Sequence, residues 1–405
     1  MTSISKLDAP ETTGPVPSSV PGSATAPKRT DWRQAFGLRE MGVYYALILL
    51  VVVLSIATTY TGKSNYLSVL NVTNVFYQAS LTAFMAVAMT VVLITGNFDL
   101  SVASVAALAG AILVGSADAL GFWPAVALAM TVAIAAGVLN GSIVQFLGIN
   151  AFIVTLGTLT ALRGIVLIYM DGRSLAVEKP EVIDAMKSFE SGKLDVGIAL
   201  IAVGAILLLL GLLQIWRQRE LTPSSLGMML CGLALALFSY AGNFQVPLKI
   251  PVVYMGIFTG AVWIVLRFST IGRRIYAVGG NPEAARLSGI NVTRYKLAAF
   301  ILCSAAAGFA GVLFACRLKS INPSGLQGAE LTVIAAAILG GTSLFGGAGS
   351  VVKTLAGALL LYSLTNGFNI LNLGANYQGL IEGIVLVTAA AIYTVGGNRR
   401  KSKTG

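Results

Sequence analysis

Long apolar runs recur along the chain, separated by short polar segments. A helix needs about 20 apolar residues to span a bilayer core. Eleven runs approach or meet that length: 41–60, 78–96, 100–118, 123–147, 150–170, 197–216, 226–246, 250–267, 297–317, 351–371 and 377–395. A twelfth, 329–343, is short and ends in glycines, and reads as either a full span or a re-entrant half-helix. The pattern predicts an all-α, polytopic helical membrane protein with about 12 transmembrane helices over residues 41–396. Counting the twelfth run as a span puts both termini on one side.

One interruption differs from the others. From Arg267 to Lys296 the chain is polar and charged between two apolar stretches. Its centre reads Asn281, Pro282, Glu283, Ala284, Ala285, Arg286, Leu287, Ser288, Gly289. Asn281 suits an N-cap, and Pro282 fits the first helical position, where no N–H is needed. Glu283 suits the positive end of a helix, and Gly289 suits a left-handed C′ residue. These signals predict a two-turn helix over about 282–288, outside the membrane. Ala284, Ala285 and Leu287, with Arg286 among them, would form a small knob suited to a groove on a partner. An ordinary capped loop helix accounts for the same residues.

Composition narrows the class. Charged residues make up 11% of the chain and hydrophobic residues 56%, which excludes a soluble globular domain. The net charge of +11 does not point to nucleic acid, because the basic residues lie between apolar segments as topology signals do. With the N-terminus inside, 17 Lys and Arg fall in cytoplasmic segments and 8 outside, which puts 268–296 in the cytoplasm. Residues 1–40 read as a cytoplasmic tail, disordered to about Ala26, and 397–405 as a basic cytoplasmic tail. The chain has no histidine, and Cys231, Cys303 and Cys316 show no paired spacing, so no metal site or histidine-based catalysis is expected.

Ionisable residues inside apolar runs are costly unless paired or facing water, so each is a functional candidate. Asp99 precedes Ser101 and can cap the helix that begins near Leu100, or contact a ligand. Arg163 sits two turns from the outer end of its run, where a structural ion pair and a ligand contact are the alternatives. Glu330 opens the short twelfth run and can cap it. Glu382 lies about one turn into the last run, within reach of the interface. None has a second group placed for catalysis. The pairs Gly137/Gly141, Gly256/Gly260 and Gly379/Gly383 fit close helix crossings. The run Gly346 to Thr354 fails as a phosphate loop, because Val352 precedes Lys353 and no strand precedes the glycines. Any ATP-derived energy would therefore come from another chain.

Four ordered motifs carry a family resemblance. Residues 279–300 look like the cytoplasmic coupling segment of carbohydrate ABC-importer permeases, the family of ribose, xylose and galactoside permeases. Gly96-Asn97-Phe98-Asp99-Leu100-Ser101-Val102 resembles the family's G-x-D-L-S-V turn, with one extra residue before the acid. Thr155-Leu156-Gly157-Thr158 with Arg163-Gly164 resembles its next helix. Glu330-Leu331, Ala335-Ala336 and Leu339 to Leu344 with Gly346-Gly347 resemble its most specific block. The similarity covers about 75–395 apart from 197–246, which adds two spans to the ten expected of a ribose-type permease. Longer permeases of the xylose type carry such an addition.

The resemblance implies a bacterial inner-membrane transport subunit rather than an enzyme. It implies a homodimer in membrane lipid, a periplasmic sugar-binding protein, and a cytoplasmic ABC ATPase that grips residues 281–289. ATP and Mg would sit on that ATPase, with no cofactor on this chain, and D-xylose or a related pentose is the expected sugar, with ribose, a galactoside or another monosaccharide as the alternatives. An ion-coupled secondary transporter is the alternative, since it would use buried acids and broken helices.

Overall fold

The computed structural model describes residues 38–62, 65–218 and 222–372, together with Leu380, Gly383 and Ile384. Nearly all of the expected tails (1–40 and 397–405), Gly379, Glu382 and most of the last run 377–395 lie outside the described residues. The helices are α1 (Leu38–Tyr60), α2 (Val69–Ile94), α3 (Val102–Leu120), α4 (Phe122–Phe146), α5 (Ala151–Tyr169), α6 (Pro180–Glu190) and α7 (Gly197–Gln218). They continue with α8 (Pro223–Ala241), α9 (Ile250–Phe268), α10 (Thr270–Gly280), α11 (Pro282–Leu287), α12 (Val292–Leu318), α13 (Ala329–Leu339) and α14 (Val351–Leu371). Among the described residues, nine helices are long and apolar enough to cross a membrane. The chain is a polytopic helical membrane protein, since helices satisfy their own backbone groups where no water can.

Successive crossings define two faces. The ends of α2, α4 and α9 and the starts of α5, α12 and α14 share one face with the polar insert 268–296, called here the island face. Two short antiparallel ribbons mark the opposite face. In one, β1 (Leu175–Ala176) pairs with β4 (Ser320–Ile321); in the other, β2 (Lys193–Asp195) pairs with β3 (Pro247–Lys249).

α2 is the central helix, packed against α9, α12, α13 and α14. It begins nine residues before the apolar run suggested. Ser68 caps it by accepting from the Asn71 N–H, and Thr73 donates to the Val69 carbonyl, so early polar residues are satisfied within the helix. α12 crosses α3 and α4 with few side chains between the backbones. A Cβ at Gly137 would lie 2.8 Å from the Ser304 Cβ, and one at Gly141 would lie 2.6 Å from Leu297 Cδ1. This glycine pair makes the close crossing its spacing suggested. Gly256 and Gly260 do not, because neither has a neighbour within 4 Å among the described residues.

α7 and α8 form a hairpin that packs chiefly on itself. A Cβ on Gly204 would lie 2.7 Å from the Gly232 carbonyl oxygen. α8 ends five residues before the apolar run does, because Asn243 and Phe244 turn left-handed and lead into β3. Asp195 ties the hairpin base by accepting from the Gly197 N–H at 3.0 Å and the Val246 N–H at 2.9 Å. These two donors hold its carboxyl below the usual carboxylate range.

The twelfth run leads from one face toward the other, but only its first 11 residues are helical. The 11 residues of α13 rise about 16 Å, roughly half of a bilayer core. Residues 340–350 then continue as loop to the island face. Their backbone is satisfied internally: Ser343 N–H reaches the Ala348 carbonyl at 2.9 Å, and Gly347 N–H reaches the Ile94 carbonyl at 2.9 Å. Irregular backbone at membrane depth survives only where protein covers it.

Candidate functional site

The polar insert folds as two helices, α10 and α11, set between α9 and α12. Asn281 caps α11 through its Oδ1, which accepts the Ala284 N–H at 3.0 Å, and Pro282 occupies the first turn. At the other end Gly289 takes φ +79°. Gly289 N–H donates to the Arg286 carbonyl at 2.9 Å and Ile290 N–H to the Ala285 carbonyl at 3.0 Å. Those two bonds form a Schellman motif, with Ile290 packed on Ala285 as its hydrophobic contact. Both ends of this short helix are thus fixed by its own sequence.

Ala285 turns inward, 5% exposed, onto Val278 and Val292. It anchors the helix and is not part of the outward knob. The exposed surface comprises Glu283, Ala284, Arg286 and Ser288, with Leu287 90% exposed at its end. Leu287 gives this doubly capped helix an exposed apolar tip.

The mount beneath α11 is a junction of glycine backbones. A Cβ on Gly279 would collide with the Ile94 carbonyl oxygen and lie 2.7 Å from the Gly347 nitrogen. A Cβ on Gly346 would lie 2.6 Å from the Gly279 carbonyl oxygen. Tyr276 on α10 donates its hydroxyl to the Gly349 carbonyl at 2.9 Å, and burial pushes its pKa up, which keeps that donor protonated. The end of α10 therefore touches the end of α2 and the loop after α13 directly. Nothing in the linear sequence placed the Gly346-Gly347 block against the insert.

The other candidate residues fall into separate places. Asp99 is fully buried ahead of α3, and its Oδ1 accepts from the Ser101 N–H at 3.0 Å and the Ser101 hydroxyl at 2.6 Å. Asn140 donates to the Ser101 hydroxyl at 2.9 Å. Ser101, not Asp99, is the N-cap residue of α3; Asp99 orders the turn before it, and the Cys303 thiol lies beside its carboxyl, while Oδ2 accepts from no N–H or O–H donor among the described residues. Arg163 donates to the Pro323 and Gly325 carbonyls at 3.2 and 2.8 Å, so it holds the loop before α13 through backbone contacts. Glu330, in the first turn of α13, lies within electrostatic range of it without a contact ion pair. Gly328, not Glu330, occupies the N-cap.

A second cluster on the opposite face was not foreseen. Glu190, at the end of α6, is fully buried. It accepts from the Tyr77 hydroxyl, from Arg317 Nε at 2.9 Å and from the Ser191 hydroxyl at 2.8 Å. Arg317 also donates to the Tyr77 carbonyl at 3.2 Å and lies over the Tyr77 ring, as does Lys249 Nζ. The network joins α2, α6, α12 and the start of α9. In the sequence these residues were scattered loop charges, and only the crossing order put them on one face.

Residues 71–390 match the family described as the branched-chain amino acid transport system / permease component. This chain belongs to that permease family. The ribose import permease protein RbsC of Escherichia coli (strain K12) is 35% identical over 353 residues, covering 86% of this chain and 92% of that protein. The xylose transport system permease protein XylH of the same strain is 32% identical over 373 residues, covering 87% and 92%. RbsC of Bacillus subtilis (strain 168) is 30% identical over 367 residues, covering 90% and 94%. No solved structure matches. The permease is a transport subunit, not an enzyme; the glycine junction lies at the end of its central helix, and the Glu190 network meets the first third of that helix at Tyr77.

Proposed function

We propose that the permease is the membrane subunit of an ATP-driven importer that moves a pentose, D-xylose or a close relative, across the bacterial inner membrane. Two copies would enclose the pathway. A periplasmic binding protein would deliver the sugar to the face carrying β1 to β4. A partner ATPase, holding ATP and Mg, would take α11 into a groove on the island face, which is the cytoplasmic face in this reading, with both termini beside it.

What carries the reading is α11 itself, a rigid helix with Leu287 in solvent and its base wedged on the backbones of α2 and the α13–α14 loop. A push on such a helix reaches the transmembrane bundle without passing through soft side chains. Differential contact in two states is what a conformational cycle requires. The choice of xylose rests on the α7–α8 hairpin and on likeness to a xylose permease, and ribose is the competing sugar. An ion-coupled secondary transporter is not favoured, because family membership speaks against it and it leaves α11 without a role.

The test is labelled xylose and ribose uptake in proteoliposomes holding the permease with its ATPase and binding protein. Uptake should require ATP and all three chains. Leu287→Arg and Glu283→Arg should abolish uptake while leaving permease yield unchanged, since both side chains are exposed. Uptake driven by an ion gradient without the ATPase would refute the reading.

A further inference from the structure

A cleft of about 560 Å³ opens on the island face between α9, α10 and the start of α12. Its walls are apolar, with Val91, Ile275 and Leu302 among them. Leu302 lies ten residues into α12, about 15 Å along the helix from Val292, so the cleft runs from the rim into the bilayer. Trp263 and Phe268, both exposed, meet edge-on at 5.3 Å near the end of α9 and mark the level of the lipid–water boundary.

The rim is basic. Arg274 and Arg294 line the mouth, and Arg274 donates to the Tyr295 hydroxyl at 3.2 Å. Neither arginine has an acidic partner within 4.0 Å among the described residues. From Arg267 to Lys296 there are six basic residues and one acid, Glu283. An apolar slot in the membrane, topped at the interface by two unpaired guanidinium groups, matches one class of ligand: a molecule with an acyl chain and an anionic phosphate. Arginine is suited to phosphate because its planar fork donates two hydrogen bonds at once.

We propose that this cleft is a site for one anionic phospholipid of the leaflet on the island face. Its phosphate sits between Arg274 and Arg294, and one acyl chain lies along α12 toward Leu302. The cleft borders Gly289 and Ile290, so an occupying lipid would abut the C-terminal end of α11 and stiffen its mount. The competing occupant is a loop of the partner ATPase. It is less suited, because the apolar walls descend into the bilayer where a soluble protein does not reach.

The full chain, purified in detergent, is titrated with phosphatidylglycerol and with phosphatidylcholine of the same acyl composition, and bound lipid is read by native mass spectrometry. Phosphatidylglycerol should bind about tenfold tighter or more, given two basic side chains at the interface. Arg274→Ala with Arg294→Ala should erase the preference, and the double lysine variant should keep part of it. Arg173→Ala, an exposed arginine on the opposite face, should change nothing. Both rim arginines are exposed, so elution as a single species is expected of the variants; each single alanine variant, with a smaller loss, gives an independent reading. Equal binding of the two lipids, or a preference that survives the double alanine variant, overturns the proposal. So does a double variant that keeps its phosphatidylglycerol but no longer assembles with the ATPase.

Discussion

The two ends of α2 are held by different chemistry. At the island face the contacts are backbone on backbone: Ile94 carbonyl to Gly347 N–H, with Gly279 and Gly346 pressed against the same helix end. At the opposite face they are side chains, with Tyr77 between Glu190, Arg317 and Lys249. Backbone contacts through glycine have no rotamers and little compliance, so they pass displacement on. A charged network can separate and re-form, because its partners on α6, β3 and α12 are long side chains. In the function proposed above, force would enter at the island face and cargo at the other, so the stiff contact would serve as the linkage and the separable one as a latch.

The largest effect should come from breaking the latch on one side only. Arg317→Ala leaves the Glu190 carboxylate buried without the cation that bonds it, and removing one partner of such a pair costs about 3–5 kcal/mol. Adding Glu190→Gln should recover much of that loss, because no uncompensated charge remains. Thermal unfolding of the three purified variants reads the difference. A single variant as stable as the parent would mean that Glu190 finds water, and that the network is not a latch.

Next comes the stiff linkage. Gly279→Ala puts a methyl group into the Ile94 carbonyl, where no side chain can move aside, and overpacking of this kind costs about 3 kcal/mol. Gly260→Ala is the matched control. It sits in a helix with open space around it, and it should be neutral or slightly stabilising, since alanine is the better helix former by about 1 kcal/mol. Comparable losses from both substitutions would show that glycine serves helix flexibility here and not contact.

These contrasts also mark what the sequence could carry. The membrane class was legible because about 20 apolar residues in a row admit one reading. α11 was legible to within a residue because its caps, Asn281, Pro282 and Gly289, act locally. Pairings between distant segments were not. Gly137/Gly141 and Gly256/Gly260 have the same spacing, yet among the described residues only the first is packed, since spacing does not say whether a neighbour exists. Glu190 and Arg317 are separated by 127 positions and meet only through the order of crossings. The start of α2 is hidden in the sequence because Asn71 and Thr73 look like loop residues until their local hydrogen bonds are counted. The broken crossing at 329–350 reads two ways in the sequence, because apolarity does not reveal that a loop is covered by protein.

The smallest expected effect separates the two cations of the latch. Lys249 lies 3.6 Å over the Tyr77 ring and Arg317 3.8 Å from it, but only Arg317 also bonds Glu190. Lys249→Met should therefore cost at most about 0.5–1 kcal/mol near neutral pH, because burial of the charge offsets part of the cation–π contact, and far less than Arg317→Ala. Burial is the main cause that lowers the Lys249 pKa; the Glu190 charge opposes it, and Arg317 and Lys193 add to it. A base whose folded pKa lies below its unfolded value binds fewer protons in the native state within that interval. Native stability then rises with pH between the lowered value and about 10.4. The parent should gain stability across the alkaline range relative to Lys249→Met, and the gap between their melting temperatures should widen as pH rises through that window. A gap that stays constant would mean that Lys249 keeps its charge at no cost, and that its contact with Tyr77 is solvated rather than part of the latch.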